Sequence, residues 1–109
     1  MRIIIGKKFN RDFKRLAKKY ASLGTDIAQL FDLLRQNPQL GTPLGQDCYK
    51  IRMAISSKKQ GKSGGARVIT CVKIVDDQVV LLTIYDKSEK EDITDKELLT
   101  LLKDIDKSN

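Results

Sequence analysis

The sequence predicts an α+β protein: a small, mixed but mainly antiparallel four-stranded sheet, with an N-terminal helical hairpin on one face and a short C-terminal helix on the other. Two N-terminal stretches place apolar residues at helical spacing, three strand-like stretches follow between residues 48 and 85, and a capped amphipathic helix comes last. A chain of 109 residues has the length of one domain, so we expect residues 1–109 to fold as a single unit.

The N-terminal part predicts one strand and two helices. Ile3-Ile4-Ile5 is a short apolar strand. The apolar stripes of the two helices are Phe9, Phe13, Leu16, Ala17 and Tyr20, then Ile27, Leu30, Phe31 and Leu34. We expect Leu23-Gly24 to separate the helices, Thr25 to cap the second and Asn37-Pro38 to end it. Because the connection is short, the two helices should form an antiparallel hairpin.

The middle of the chain predicts a loop followed by three strands. Residues 37–47 hold both prolines and two glycines, which indicates a surface loop. The strands are predicted at about 48–55, 66–74 and 79–85. The lysine-, glycine- and serine-rich link 56–65 is long for a hairpin loop, whereas residues 76–78 form a tight turn. Strands that follow one another this closely pair antiparallel.

The last helix has a clear start. Thr94 and Glu97 have the spacing of a capping box, and Ile93 and Leu98 that of a hydrophobic staple. The apolar stripe of this helix is Leu98, Leu101, Leu102 and Ile105. Such a stripe predicts that the helix packs on the sheet.

Alternation along the strands divides the sheet into two faces. One face is apolar throughout and should pack on the helical hairpin. The apolar part of the other face should lie under the C-terminal helix and comprises Ile69, Cys71, Val79 and Leu81. Its open part would gather Lys50, Arg52, Arg67 and Tyr85. This register is sensitive, since a one-residue slip or bulge moves side chains to the opposite face.

Charge is segregated along the chain. The formal net charge is +7, and residues 48–75 contain seven basic side chains without one acid, whereas residues 76–109 contain five lysines and ten acids. This asymmetry indicates a polyanionic partner; the alternative is that the charges form solvated faces that favour solubility. No stretch has the length of a membrane span or the form of a signal peptide, so we expect a cytoplasmic protein. Cys48 and Cys71 are expected to be buried thiols, not a disulfide.

The residue types limit the chemistry. The chain has no histidine, which removes the usual acid–base group, and we find no plausible metal site or cofactor motif. Gly61-Lys62-Ser63 imitates the end of a phosphate-binding loop, but Ser56 stands where the earlier glycine is required. A crowded lysine can act as a base, arginines can stabilise a phosphorane, and a tyrosine can stack on a base. RNA supplies its own 2′-hydroxyl nucleophile, so this cluster permits metal-free RNA cleavage.

Each of these residues also has a structural interpretation. Lys50 and Arg52 would be ordinary solvent-facing strand residues, and Tyr85 a packed aromatic at the rim. The loop lysines, Lys58, Lys59 and Lys62, would be solvated.

Three segments resemble the RelE/ParE toxin superfamily of bacterial toxin–antitoxin systems, especially its RelE- and HigB-like ribosome-dependent mRNA endonucleases. They are Asp47-Cys48-Tyr49-Lys50-Ile51-Arg52, Gly61-Lys62-Ser63-Gly64-Gly65-Ala66-Arg67-Val68-Ile69 and Leu82-Thr83-Ile84-Tyr85-Asp86-Lys87-Ser88-Glu89. The order of elements also agrees over nearly the whole chain, and the glycine-rich loop is most similar to a HigB-type subgroup.

The resemblance implies an enzyme that enters the ribosomal A site and cuts mRNA by attack of the 2′-hydroxyl, leaving a cyclic phosphate and a 5′-hydroxyl. By position, the catalytic residues would be Lys50 as base, Arg52 for charge, Arg67 on the scissile phosphate, Tyr85 for stacking, and Lys87. RNA or ribosome contacts are expected from Lys14, Lys18, Lys58, Lys59 and Lys62.

The chain departs from the family pattern at two positions. Ser88 and Thr94 stand near the places of an arginine and a stacking tyrosine in RelE enzymes, so the sequence assigns no general acid.

The resemblance also implies a cognate antitoxin as partner, and a free toxin that is monomeric. Two other functions stay open. One is a ParE-like toxin that inhibits DNA gyrase by binding. The other is a nucleic-acid-binding module, or an inactivated toxin, without catalysis.

Overall fold

A computed structural model of the protein describes residues 1–107. The elements are β1 (Arg2–Ile5), α1 (Lys7–Lys19), α2 (Leu23–Gln36), β2 (Thr42–Gly45), β3 (Cys48–Met53), a 3₁₀ turn (Ser56–Lys58), β4 (Ala66–Lys73), β5 (Gln78–Asp86) and α3 (Asp95–Lys107). The sheet order is β1-β5-β4-β3-β2, with β1 parallel to β5 and the other pairs antiparallel. The predicted α+β class is confirmed. None of the helices within residues 1–107 has the length and apolar character that crossing a membrane requires.

The sheet has one strand more than the four predicted. Residues 42–45, expected to lie in a surface loop, form the edge strand β2, which places Thr42 opposite Lys50 and Pro43 opposite Tyr49. Proline and glycine argue against a central strand, but an edge strand tolerates both. Gly41 makes the approach possible: its φ is +106°, and a Cβ there would lie 2.5 Å from the Lys50 carbonyl oxygen.

The second helix begins earlier than predicted. Leu23 and Gly24 were expected to separate the helices, but both belong to α2, and Ser22 precedes its first residue. Thr25 is therefore inside the helix and is not its N-cap. The Ser22 hydroxyl donates to the Asp26 carboxylate at 2.8 Å, a contact between residues four apart that the apolar pattern does not reveal.

The helical hairpin covers one face of the sheet, as predicted. Leu16 of α1 and Leu23 and Leu34 of α2 are fully buried in one core with Val68 of β4 and Ile84 of β5. Burial of side chains of this size stabilises the fold by about 1.5–3 kcal/mol each.

The other face of the sheet is covered by α3, whose start is the predicted capping box: the Glu97 N–H donates to the Thr94 hydroxyl at 3.1 Å. The strand residues in this second core include Ile69 and Cys71, as predicted, but also Val80 and Leu82.

The predicted positions of Val79 and Leu81 are wrong, because both side chains pack under the hairpin. The reason is a bulge between β4 and β5: Ile69 pairs with Thr83 but Thr70 pairs with Leu81, which leaves Leu82 without an opposite residue. A bulge reverses the alternation of faces.

The two cysteines are buried, as predicted. They lie directly opposite each other on β3 and β4. Both side chains pack in the core under α3. A hydrogen bond with Cys71, together with burial, raises the pKa of the Cys48 thiol far above its usual range.

Candidate active site

Four of the predicted site residues lie together on the open part of the sheet, and we call Lys50, Arg52, Arg67 and Tyr85 the cationic face. Arg52 of β3 pairs with Arg67 of β4, and Arg67 pairs with Tyr85 of β5. Lys50 precedes Arg52 by two residues, so both side chains leave the same face of β3. Three adjacent strands therefore bring three cations and one phenol into one surface.

Arg67 is buried at the base of this surface, where it also fixes the loop that precedes β4. Its Nη1 donates to the carbonyl oxygens of Lys62 at 2.9 Å and Ala66 at 3.0 Å, and its Nη2 lies 3.5 Å from the Ser63 carbonyl oxygen. Burial, and then the charge of Arg52, lower the pKa of Arg67, but an arginine remains protonated at neutral pH. The result is a fixed positive charge held by the backbone of the loop.

Lys50 and Tyr85 meet at a residue that the sequence patterns did not single out, Asp92. The Lys50 Nζ lies 3.1 and 3.3 Å from the two carboxylate oxygens of Asp92, and the Tyr85 hydroxyl lies 3.5 Å from Oδ1. A hydrogen bond from the Ile93 N–H, and then the contact with Lys50, lower the pKa of Asp92. Asp92 is one of ten acids after residue 75, and no local pattern distinguishes it.

Tyr85 is buried, so its ring is not an open platform for a base. Burial, and then the negative charge of Asp92, raise the pKa of its phenol to about 12. The Lys90 ammonium lies 5.7 Å from the centre of the ring and the Asp92 carboxylate lies 3.5 Å from its hydroxyl, so the segment that carries these two residues lies beside the ring. Stacking of a nucleobase on this ring requires that segment to move.

Lys58 is held inside the protein and does not join the cationic face. Its ammonium donates to Asp86 Oδ1 at 2.9 Å and lies 5.4 Å from the centre of the Tyr20 ring. The Asp86 carboxylate is fully buried and also accepts from the Tyr20 hydroxyl at 2.5 Å and the Ser88 hydroxyl at 2.8 Å. This buried cluster joins the end of α1, the 3₁₀ turn and the end of β5.

The 3₁₀ turn has a second buried anchor, Asp26 of α2. Its carboxylate accepts from the Ser56 N–H at 3.0 Å and from the Ser56 hydroxyl at 2.6 Å. The contact joins residues thirty positions apart, so no local sequence pattern predicts it. These hydrogen bonds fix the position of Ser56, where the lysine-rich loop begins.

The other predicted lysines are placed differently from one another. Lys59 and Lys62 are exposed on the loop, and Lys14 and Lys18 are exposed on α1. Lys87 is half-buried, and its N–H donates to the Gly65 carbonyl oxygen at 3.0 Å, which closes the loop against the end of β5. Lys87 thus lies near the loop end of the cationic face, whereas α1 packs against β5 on the hairpin side of the sheet.

The site is an anion site by its chemistry. Its groups donate hydrogen bonds from cations, a pattern that suits phosphate oxygens. Among residues 1–105, whose side chains the structure describes, no three His, Cys, Asp or Glu side chains come together to hold a metal ion. The fold and this surface together define a small basic α+β protein whose sheet presents fixed cations on its open part.

The comparisons with known proteins identify the family. The sequence model for the RelE toxin of the RelE/RelB toxin–antitoxin system matches residues 1–108, so the chain belongs to the RelE toxin family. Among solved structures, the chain is similar to the E. coli toxin RelE in the free state, a mutant with two arginines changed to alanine. That match has a TM-score of 0.59 and 14% identity, and it covers 83% of this chain and 86% of that chain; it shows the fold. No curated protein matches the chain significantly.

Proposed function

We propose that this RelE-family toxin is a ribosome-dependent mRNA endonuclease that cuts mRNA in the A site without a metal ion. The observation that supports this best is the convergence of Lys50, Arg52 and Arg67 in the cationic face, with Arg67 buried at its base. A toxin that acted only by binding a protein such as gyrase would not require three clustered cations next to a phenol. RNA supplies the nucleophile, so the protein has to supply proton transfer and charge stabilisation.

The proposed reaction is a transesterification. The 2′-hydroxyl attacks the adjacent phosphorus while a base accepts its proton, the bond from phosphorus to the 5′-oxygen breaks, and that oxygen leaves as a hydroxyl after gaining a proton. The products are a 2′,3′-cyclic phosphate and a 5′-hydroxyl. Arg52 and Arg67 would stabilise the negative phosphorane, because guanidinium groups bind phosphate oxygens in a bidentate manner.

Lys50 is the proposed base, and its environment sets a condition. In the free protein its Nζ is engaged by the Asp92 carboxylate at 3.1 Å. RNA must separate this pair and place Lys50 among Arg52, Arg67 and the phosphate. Tyr85 and Lys87 would then position the nucleotide beside the reacting phosphate.

The remaining exposed cations would bind the ribosome. Lys14 and Lys18 of α1, with Lys59 and Lys62 of the loop, have no ion-pair partner among the side chains of residues 1–105, and phosphate-rich rRNA attracts such groups. Lys58 contributes indirectly, by fixing the start of the loop. The toxin would work in the cytoplasm as a monomer and be held inactive by a RelB-type antitoxin, the partner that its family implies.

The decisive experiment is cleavage of A-site mRNA on purified ribosomes, with a chelator selective for transition metals that leaves ribosomal Mg²⁺ in place. Lys50→Ala and Arg67→Ala should each lower the rate by about 100-fold or more, since positioned proton transfer and charge stabilisation contribute that much. Lys73→Ala is the matched control: Lys73 lies on β4, is as exposed as Lys50 (22% against 23%) and is also ion-paired with an aspartate. Intact mRNA together with altered plasmid supercoiling would instead favour gyrase inhibition.

A further inference from the structure

One carboxylate lies within hydrogen-bond reach of the cationic face. Asp92 contacts Lys50 through both of its oxygens and lies 3.5 Å from the Tyr85 hydroxyl. Its Oδ1 also accepts from the Ile93 N–H at 2.8 Å. The carboxylate therefore has a lysine ammonium, a phenol and a backbone N–H around it, which are donors that equally suit an oxygen of a phosphate group.

The contacts of Asp92 can be exchanged. The side chain of Asp92 is 57% exposed and that of Lys50 is 23% exposed, so both groups remain partly hydrated and their pairing contributes little free energy. The ion pair between Lys58 and Asp86 is much less exposed: the side chain of Lys58 is 9% exposed and that of Asp86 is fully buried. The buried pair is suited to stabilise the fold, whereas the exposed pair can be separated by a competing anion.

Asp92 also lies outside the helices and strands, so its side chain can move. It belongs to the segment between β5 and α3, two residues before the capping box of Thr94 and Glu97. The segment has no strand or helix hydrogen bonds of its own at this residue. An entering phosphate group can therefore take the place of the carboxylate without disrupting the sheet.

We propose that Asp92 is an internal anion that occupies the phosphate position of the cationic face in the free protein, and that substrate RNA must displace it. This inference rests on the proposed function, because it takes the scissile or an adjacent phosphate of RNA as the competing group. Displacement frees the Lys50 ammonium from its carboxylate partner and brings it next to the substrate. Free RNA alone competes weakly, whereas RNA that the ribosome holds in place competes at high local concentration.

The expected change in RNA affinity follows from the single negative charge of Asp92. A carboxylate about 6 Å from a bound phosphate, at the dielectric of a hydrated surface, weakens binding by about 3- to 10-fold. Removing the charge while keeping the shape should therefore increase RNA affinity by that factor. The gain should shrink as salt concentration rises, because the groups are exposed.

The test compares Asp92→Asn with Glu91→Gln. Glu91 is the preceding residue, is exposed and has no ion pair with any side chain of residues 1–105, so its variant makes the same change of net charge without touching Lys50. Affinity for a short single-stranded RNA is measured by fluorescence anisotropy at low salt, and the Lys50 side-chain NMR signal is followed during titration with inorganic phosphate. We expect about 3- to 10-fold tighter RNA binding for Asp92→Asn only. In that variant the Lys50 signal should also shift at a lower phosphate concentration than in the wild type.

Two results would overturn the inference. One is RNA binding by Asp92→Asn that equals that of Glu91→Gln. The other is unchanged RNA binding with a large loss of ribosome-dependent cleavage, which would make Asp92 part of the chemistry. If neither variant nor the wild type cuts mRNA, but Asp92→Asn still binds RNA more tightly, the proposed function fails and the role of Asp92 as a competing anion stands.

Discussion

Replacing Asp86 with asparagine removes the charge at the centre of the buried cluster that links α1, the 3₁₀ turn and β5. The carboxylate is fully buried and lies 2.9 Å from the ammonium of Lys58, which is 9% exposed. It also accepts from the Tyr20 hydroxyl and from the N–H and hydroxyl of Ser88. Asparagine has nearly the same shape, so the substitution isolates the charge.

The expected loss of stability is large. Removing one partner of a buried ion pair costs about 3–5 kcal/mol, because the remaining charge is buried without compensation. The free energy of unfolding of an ordinary domain is only about 5–15 kcal/mol. Asp86→Asn should therefore lower the melting temperature by more than about 10 °C. The ammonium of Lys58 would be the group left unpaired.

The same pair predicts a dependence on pH. Burial raises the pKa of Asp86, but hydrogen bonds from Tyr20, Lys58 and Ser88 lower it by more, so that the net pKa is well below its usual range. The unfolded chain, in which an aspartate has a pKa of about 3.9, then binds the proton more readily than the folded protein. The stabilisation is present above about pH 4 and decreases as the pH falls below that value, so the wild type and Asp86→Asn should converge in acid.

Urea denaturation followed by circular dichroism, near neutral pH and in acid, measures both effects. The control is Asp32→Asn, because Asp32 and Arg35 also lie 2.9 Å apart but are 73% and 59% exposed, and breaking an exposed pair costs less than about 1 kcal/mol. If the free energy of unfolding of Asp86→Asn falls by no more than that of Asp32→Asn, the reasoning from burial is refuted.

Three further predictions concern the loop, the thiols and the phenol. Gly65→Ala should cost about 2 kcal/mol or more in denaturation experiments, since a Cβ there would lie 2.1 Å from the Met53 carbonyl oxygen. Cys48 and Cys71 should react with a thiol reagent only as fast as the protein opens, because both are buried and the reagent cannot reach them in the folded protein. Burial raises the pKa of the Tyr85 phenol to about 12, so near-ultraviolet titration of the wild type should show a tyrosine ionisation at high pH that Tyr85→Phe lacks. Because the unfolded chain loses this proton first, the contribution of the phenol to stability should be lost as the pH rises above about 10.

Each of these three predictions has a result that would contradict it. Wild-type stability of Gly65→Ala would mean that the loop does not approach β3 as closely as the structure has it. Rapid modification of both thiols in the folded protein would contradict their burial under α3. A tyrosine titration that Tyr85→Phe changes only near about pH 10 would mean that the phenol is hydrated.

Features with a short sequence period could be predicted, including the strand alternation that places Arg52, Arg67 and Tyr85 on one face. Features defined only by a contact between distant residues could not. The stripe of α1 and the capping box of α3 are local patterns, so both can be placed from the sequence. The strand β2 has no such pattern, because Pro43 and Gly45 form a strand only where β3 offers an edge. The same applies to Asp92, which is defined by a contact with Lys50, forty-two positions away.

The bulge in β5 connects the core with the site. In a regular strand that buries Val79 and Leu81 under the hairpin, Tyr85 would point to the hairpin too, and Ile84 would lie beside Arg67 on the open face. The extra residue at Leu82 reverses the alternation, so Ile84 joins the core and Tyr85 turns toward Arg67 and Asp92.

The same reversal turns Asp86, the residue after Tyr85, toward the hairpin side, where Tyr20 and Lys58 bind its carboxylate. One inserted residue thus determines both the composition of the cationic face and the buried ion pair that fixes the start of its loop. Bulges next to functional sites commonly re-aim a side chain in this way. Deleting Leu82 would therefore alter the site and the core together, which explains why a regular alternation of β5 could place Tyr85 on the open face but not Val79 and Leu81 under the hairpin as well.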